Sequence, residues 1–223
     1  MFFLRKSPSY FLLGTLLIPL NHKLPSWHTS VYSDIKPNTI SFTAGSLSIH
    51  VNSSSSPLFY MLPKPVLVRT VKVQGEISGL PSLKTKTEHS KEGDDLAFRL
   101  GLVESSVDPP SIIARFLAPN WIRILLDYLP EQGIKTVRFL TVSQEKSVGA
   151  FRFHPQNDLI QEIVALRKRT PGKFEINYRF KAPAPTMALW IQPDGDDTQS
   201  QFTLKLNRIE LETVETVSTK RIK

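Results

Sequence analysis

The chain of 223 residues contains no cysteine. Disulfides, thiolate zinc sites, iron–sulfur clusters and a cysteine nucleophile are therefore excluded. Glycine is scarce, at 10 residues against 17 prolines. Prolines scattered between short apolar runs favour a sheet protein with many turns over a helical bundle. No apolar run reaches the roughly 20 residues that a bilayer-spanning helix needs. Five histidines are present, with neither His-x-His nor His-Glu-x-x-His spacing. There is no Walker loop, no dinucleotide fingerprint and no Gly-x-Ser-x-Gly elbow.

Acidic residues are also missing before Asp34, whereas Arg5, Lys6 and Lys23 precede it. A basic start over residues 1–6 is followed by an apolar run over 10–20. That order reads as an export signal. It predicts a leader over 1–27, a periplasmic or secreted protein, and membrane contact only through the leader. Residues 21–27 hold no small-x-small cleavage motif, so the competing reading is an apolar segment that stays on the mature chain. The formal charge of +8 would favour acidic partners, although ordinary solubility accounts for it. Arg167-Lys-Arg169 and Lys220-Arg-Ile-Lys223 are basic clusters without interleaved aromatics, so nucleic acid is not an expected partner.

Short alternating segments dominate the remainder. Ile40-Ser-Phe42 and Leu47-Ser-Ile-His-Val51 flank a turn at Ala44-Gly45. Over 66–77, Val66 and Val68 share one parity and Val71, Val73 and Ile77 the other, so a bulge is expected near Arg69-Thr70. The same change of parity falls at Asn207-Arg208 between Phe202/Leu204/Leu206 and Ile209/Leu211. Residues 78–94 read as a polar connection with a mobile tip. From Asp95, Leu96, Phe98, Leu100 and Leu102 face one way. Ala97, Arg99 and Gly101 face the other, where small residues imply close packing and Arg99 becomes a candidate buried or cleft-lining cation.

Helical spacing is read over 108–117, over 121–129 (with a strand as the alternative) and over 158–169, where Asp158-Leu-Ile-Gln161 resembles a capping box. Residues 134–142, 150–153, 173–180, 187–191 and 202–211 read as strands. The predicted fold is mainly β: an antiparallel two-layer sandwich of jelly-roll type with two or three short helical inserts. It occupies residues 28–223 as one domain.

Four pieces occur in a familiar order: Gly93-Asp-Asp-Leu-Ala-Phe-Arg99, Gly149-Ala-Phe-Arg-Phe153, Asp158-Leu-Ile-Gln-Glu162 and Leu189-Trp-Ile-Gln-Pro-Asp-Gly-Asp-Asp-Thr198. Over roughly residues 66–212 the chain resembles a family of exported bacterial domains of unknown function with a galactose-binding-like sandwich. The resemblance implies the sandwich and no activity. The acidic loop lacks the Asp-x-Asp-Asn run of that pattern.

Chemistry concentrates in Gln192-Pro-Asp-Gly-Asp-Asp-Thr-Gln-Ser-Gln201. Pro193-Asp-Gly195 is turn chemistry, and a rim loop before the last strand explains the acids. The alternative is a structural calcium held by Asp194, Asp196 and Asp197; no other cofactor is implied. Trp190 points away from Leu189 and Ile191 and could stack on a sugar, with Gln192, Arg99 and Tyr178 beside it and Trp121 as a further aromatic. The expected function is a non-catalytic domain binding carbohydrate or another envelope component. The competing readings are a hydrolase using Asp95 with an acid of 194–197, and a structural or partner-binding domain. Oligomeric state leaves no trace in the sequence.

Overall fold

The computed structural model describes residues 10–21, 26–43, 45–88, 90, 92–106, 123, 125, 126, 133–154 and 157–216. Eleven strands form the body: β1 (Tyr10–Leu17), β2 (Trp27–Thr29), β3 (Thr39–Thr43), β4 (Ser46–Asn52), β5 (Leu58–Ser78), β6 (Arg99–Ser106), β7 (Gly133–Ser143), β8 (Phe151–His154), β9 (Asn157–Arg167), β10 (Gly172–Ile191) and β11 (Gln201–Thr216). They make one sheet in the order β3-β4-β11-β5-β10-β6-β7-β9-β8, with β1 on β11 and β2 on β5. All pairs are antiparallel except β7 with β9. The expected pair of separate antiparallel layers is therefore one continuous mixed sheet.

Two long strands bend that sheet. β5 and β10 pair along their length, but the ladder breaks between Arg179 and Ala184 and again between Thr186 and Ala188. Pro183 lies in the first break, Pro63 and Pro65 lie in the second, and Pro185 sits between the two, opposite Leu67. Proline donates no ladder hydrogen bond and belongs at bulges and edges. The two strands pair with each other on both sides of the breaks, while β5 takes β11 over Leu67–Ser78 and β2 over Leu58–Tyr60, and β10 takes β6 from Thr186 to Ile191. One face is buried throughout: Leu204, Ile209, Val73, Ile77, Phe174 and Ile176 on one side of the bend share a cluster with Leu189, Leu100, Leu140 and Ile163 on the other. Phe98 meets Phe174 edge-on at 5.3 Å. A sheet face can cover itself in this way only by folding over, so the body is a sandwich made from a single bent sheet.

The two changes of parity mark real bulges. Against β11 the ladder steps from Thr70 to Val68 and leaves Arg69 as the extra residue, and on the β10 side residues 180–183 are left out at the same place. In β11 the ladder steps from Leu206 to Arg208 and leaves Asn207 out.

Three expectations are corrected or fall elsewhere. Residues 158–167 are a strand, not a helix. Ile160, Glu162 and Val164 face outward under cover while Ile163 joins the inner core. A strand buried on both faces reads as a nearly continuous apolar run that fits either period. The expected helix at 108–117 lies outside the described residues. Of 121–129, only Arg123, Leu125 and Leu126 are described; their backbone is helical, and Leu125 packs on the outer face of the second layer. Third, the apolar run of the expected leader forms β1, paired from Tyr10↔Thr216 to Leu17↔Glu210, and Ile18 and Leu20 enter the main core. The expected boundary at 27/28 lies between two residues of β2. No helix among the described residues is long and apolar enough to cross a membrane.

Glu104 on β6 is buried, with Arg138 Nη2 at 2.8 Å from Oε1, and that guanidinium lies 5.3 Å from the Phe180 ring centre. Burial raises its carboxyl above the usual range, while Arg138 and Lys135 pull it down. A raised acid favours the folded state at low pH, and that contribution is lost as pH rises from about 4.3 through the folded value. Relative to Glu104→Gln, wild type should therefore lose stability between pH 4 and pH 7. Urea midpoints at both pH values check this, and a constant difference would refute it.

Candidate functional site

The site lies on the outer face of the second layer. That face divides in two. Its lower part is apolar: Phe59, Val103, Val137, Phe139, Met187 and Trp190 with Leu125 over them. Trp190 is 2 % exposed and lies between Phe59 and Phe139, each with ring centroids 5.2 Å away. Gly101 opposite it admits no side chain, since a Cβ there would lie 2.8 Å from Phe139. The small residues of β6 do mark close packing, and what packs there is the indole and its neighbours. Trp190 therefore has no face open to a sugar. Gln192 is likewise committed: it accepts from Trp190 Nε1 (2.9 Å) and Tyr32 Oη (3.0 Å) and donates to Ser55 Oγ (2.9 Å). Tyr178 is half-buried against Phe180, at 5.0 Å, and packs on the inner core, apart from the polar residues described next.

The upper part of the face is charged. Neighbouring strands place Arg99 beside Thr141, Thr141 beside Val164, and Glu162 beside Arg152. Arg99 is buried and its fork is divided among three acids. Nη1 donates to Asp194 Oδ2 at 2.6 Å, Nη2 to the Asp94 carbonyl at 2.5 Å, and Nε stands 3.4 Å from Glu162 Oε1. Arg152 joins the same set, with Nη2 donating to Asp94 Oδ1 at 2.5 Å and Nε bound to Glu162 Oε2. Burial alone would lower the Arg99 pKa, but Glu162, Asp94, Asp194 and Asp95 together raise it. The guanidinium stays charged.

The 194–197 loop reaches this network from below. It is not the exposed rim that its composition suggested: of residues 192–200, only Asp197 and Gln199 are exposed and Asp196 is half-buried. Its backbone polar groups are taken up by distant segments. Asp194 N–H donates to Leu96 O (3.0 Å), Gly195 N–H to Ser54 O (3.2 Å), and Asn38 Nδ2 to Pro193 O (3.0 Å). Glycine is needed at 195 because a Cβ would lie 2.6 Å from Val51 Cγ1. Asp95, on the chain entering β6, caps the loop, accepting from Thr198 N–H at 2.6 Å, Thr198 Oγ1 at 2.5 Å and Asp197 N–H at 3.3 Å. At 0 % exposure it cannot meet a substrate, and the hydrolase reading loses one of its two acids.

Asp95, Asp194 and Asp196 each bring a carboxylate oxygen within 4.8 Å of the others. The expected trio of Asp194, Asp196 and Asp197 is thus rearranged, with Asp95 in the place of Asp197. Burial pushes the Asp194 carboxyl well above its usual range. Arg99 opposes this, and Asp196 and Asp95 add to it. Partial burial with Asp196, Asp95 and Asp94 raises Asp197 to about 6, against Lys86.

Above the network is an open pocket of about 390 Å³. Its floor is Thr141, Glu162 and Val164, and its walls are Ala150, Phe151, Arg152 and Lys146 on one side and Thr87, Glu88 and Ser90 on the other. The 78–94 connection therefore folds back over the sheet. Glu88 anchors it, its carboxylate accepting from Ser143 Oγ and from Gln144 N–H at 2.8 Å. Phe151 is 53 % exposed and meets Phe153 edge-on at 5.1 Å. The sequence offered one signal for this pocket, the Phe-Arg-Phe alternation at 151–153.

No family model matches the chain, and no curated protein sequence matches it. Among solved structures it is similar to a family 11 carbohydrate-binding module from Clostridium thermocellum in complex with a β-1,3-1,4-mixed-linked tetrasaccharide, with 11% identity over 89% of this chain and 95% of that one and a TM-score of 0.42. The Ca²⁺/Man3GlcNAc-bound exoplasmic/lumenal domain of VIP36 follows at 10% identity, 92% and 90% coverage and a TM-score of 0.40. The K1 cleaved adhesin domain of Lys-gingipain from Porphyromonas gingivalis W83 has 13% identity, 89% and 98% coverage and a TM-score of 0.34.

Proposed function

We propose that the chain is a non-catalytic β-sandwich module that binds carbohydrate, such as an envelope saccharide, in the pocket beside Phe151. The observation that carries this reading is one exposed aromatic ring set next to fixed polar groups in an open hollow. A sugar ring has an apolar C–H face and a rim of hydroxyls. Phe151 suits the first; Glu162, Arg152, Lys146 and the hydroxyls of Thr87 and Ser90 suit the second. The volume falls within the range of about 300–1,000 Å³ usual for small-molecule sites. Both pocket carboxylates are held by donors, Glu162 by two guanidinium groups and Glu88 by a hydroxyl and backbone N–H groups. Acids held this way act as fixed acceptors for hydroxyls.

A glycan array with the full chain tests the proposal, run beside Phe151→Ala. An exposed ring contributes little to the fold, so the variant should melt with wild type. Losing the burial of one phenylalanine on binding corresponds to about 1.5–3 kcal/mol, or roughly 10–100-fold in affinity. Absence of any glycan binding by wild type, or equal binding by the variant, would sink the reading.

A further inference from the structure

We infer that Asp95, Asp194 and Asp196 form a binding site for a hard divalent cation of the calcium type, which ties the end of β10 to the chain entering β6. Proximity of three acids is not enough for this, because loops recruit aspartate for backbone reasons alone. The second observation is an orphaned atom. Asp194 is 9% exposed and its Oδ2 is taken by Arg99, but its Oδ1 is buried and accepts no hydrogen bond among the described residues. A buried carboxylate oxygen without a donor is costly, and a cation is the partner that also answers the two neighbouring acids.

The local charge balance points the same way. Arg99 is shared by Asp194, Asp94 and Glu162, and Arg152 is shared by Asp94 and Glu162. Among the described residues, these two guanidinium groups are shared by three acids, with His154 Nε2 3.4 Å from Asp94 Oδ2, and none of these cations is within ion-pair distance of Asp95 or Asp196. Asp95 has hydrogen-bond donors, but they are neutral: the Thr198 hydroxyl and the N–H groups of Asp197 and Thr198. The donor set is entirely oxygen, with no histidine in the cluster. Oxygen-only carboxylate sites suit Ca²⁺, which accepts six to eight ligands in flexible geometry, better than Zn²⁺. Protein carbonyls and water would complete the shell. The site does not depend on the saccharide reading, although its Asp194 shares Arg99 with the pocket's Glu162.

Calorimetric titration of the full, metal-stripped protein with CaCl₂, and separately with MgCl₂, tests the inference without any sugar. Calcium should bind with one-site stoichiometry and a Kd below about 1 mM, the weak limit for extracellular calcium modules. Asp196→Asn removes one of the three carboxylates and should weaken it by at least the roughly 10-fold that losing even an outer-shell partner costs. Asp196 is half-buried, so this variant should fold. Without metal it should melt above metal-free wild type, because one of three crowded charges is gone, and calcium should no longer raise its melting temperature. Asp197→Asn should keep the calcium response. No calcium heat and no calcium-dependent melting shift in wild type would overturn the site, as would an undiminished response in Asp196→Asn. Loss of the calcium response in Asp197→Asn would overturn the assignment of Asp95 over Asp197.

Discussion

Arg99→Ala should cost on the order of 3–5 kcal/mol or more, the range for breaking a buried ion pair by removing one partner. The loss should stand at the upper end because one side chain serves three acids. Asp194 Oδ2 loses its 2.6 Å donor, the Asp94 carbonyl its 2.5 Å donor, and Glu162 the cation 3.4 Å away. Asp194 and Glu162 are buried and cannot turn to water. Against a typical total of about 5–15 kcal/mol, the variant would be only marginally folded at pH 7. Lysine at 99 restores the charge but not the planar fork, and can direct itself to fewer of the three acids. Arg99→Lys should therefore fall between alanine and wild type. Urea unfolding followed by circular dichroism reads the series. An alanine variant within about 0.5 kcal/mol of wild type, the ordinary scatter of surface substitutions, would mean that the network contributes nothing.

Arg99 was legible in the sequence because its strand alternates so cleanly. A cation on the same face as Ala97 and Gly101 has to be covered by whatever fills the space those residues leave. The bulges at Arg69 and Asn207 were legible for a similar reason: with a period of two, one extra residue inverts every later side chain. Trp190 shows where this stops. Alternation fixed the face of the sheet on which its ring stands, but not whether that face is open. The cover comes from Phe59, Phe139 and Leu125, which belong to other segments. The acid-rich loop failed for a related reason. Pro-Asp-Gly has the same composition at a rim as inside, and its burial depends on Ser54 and Asn38, more than a hundred residues earlier, accepting and donating its backbone hydrogen bonds. The sequence presents Asp95 only as a catalytic acid; its meeting with Asp194 and Asp196 needs tertiary neighbours that pairing patterns do not reveal. Residues 158–167 mislead because cover on both faces erases the alternation that identifies a strand.

Removal of residues 1–27 should largely abolish the folded state, and removal of residues 1–9, which spares β1, is the control. The longer deletion takes β1 from the edge of β11, where seven residues pair between Thr216 and Glu210. It also takes Ile18 and Leu20 from the main core, at 1% and 6% exposure. Burial of two such side chains is worth about 3–6 kcal/mol. Trp27 goes with them; its ring packs 4.9 Å from Tyr60 and 5.5 Å from Phe42, and its indole N–H donates to Pro19 O at 2.9 Å. The sum rivals the whole stability of an ordinary domain. What remains would bare the edge of β11 between 210 and 216, an open ladder prone to association. Both truncations can be compared with the full chain by circular dichroism, thermal melting and size-exclusion chromatography. A cooperative melt of the 28–223 protein close to that of the full chain would show that β1 is dispensable and restore the leader to a purely targeting role. Failure of that protein to fold, with the 10–223 protein melting like the full chain, would make the apolar run part of the sandwich itself.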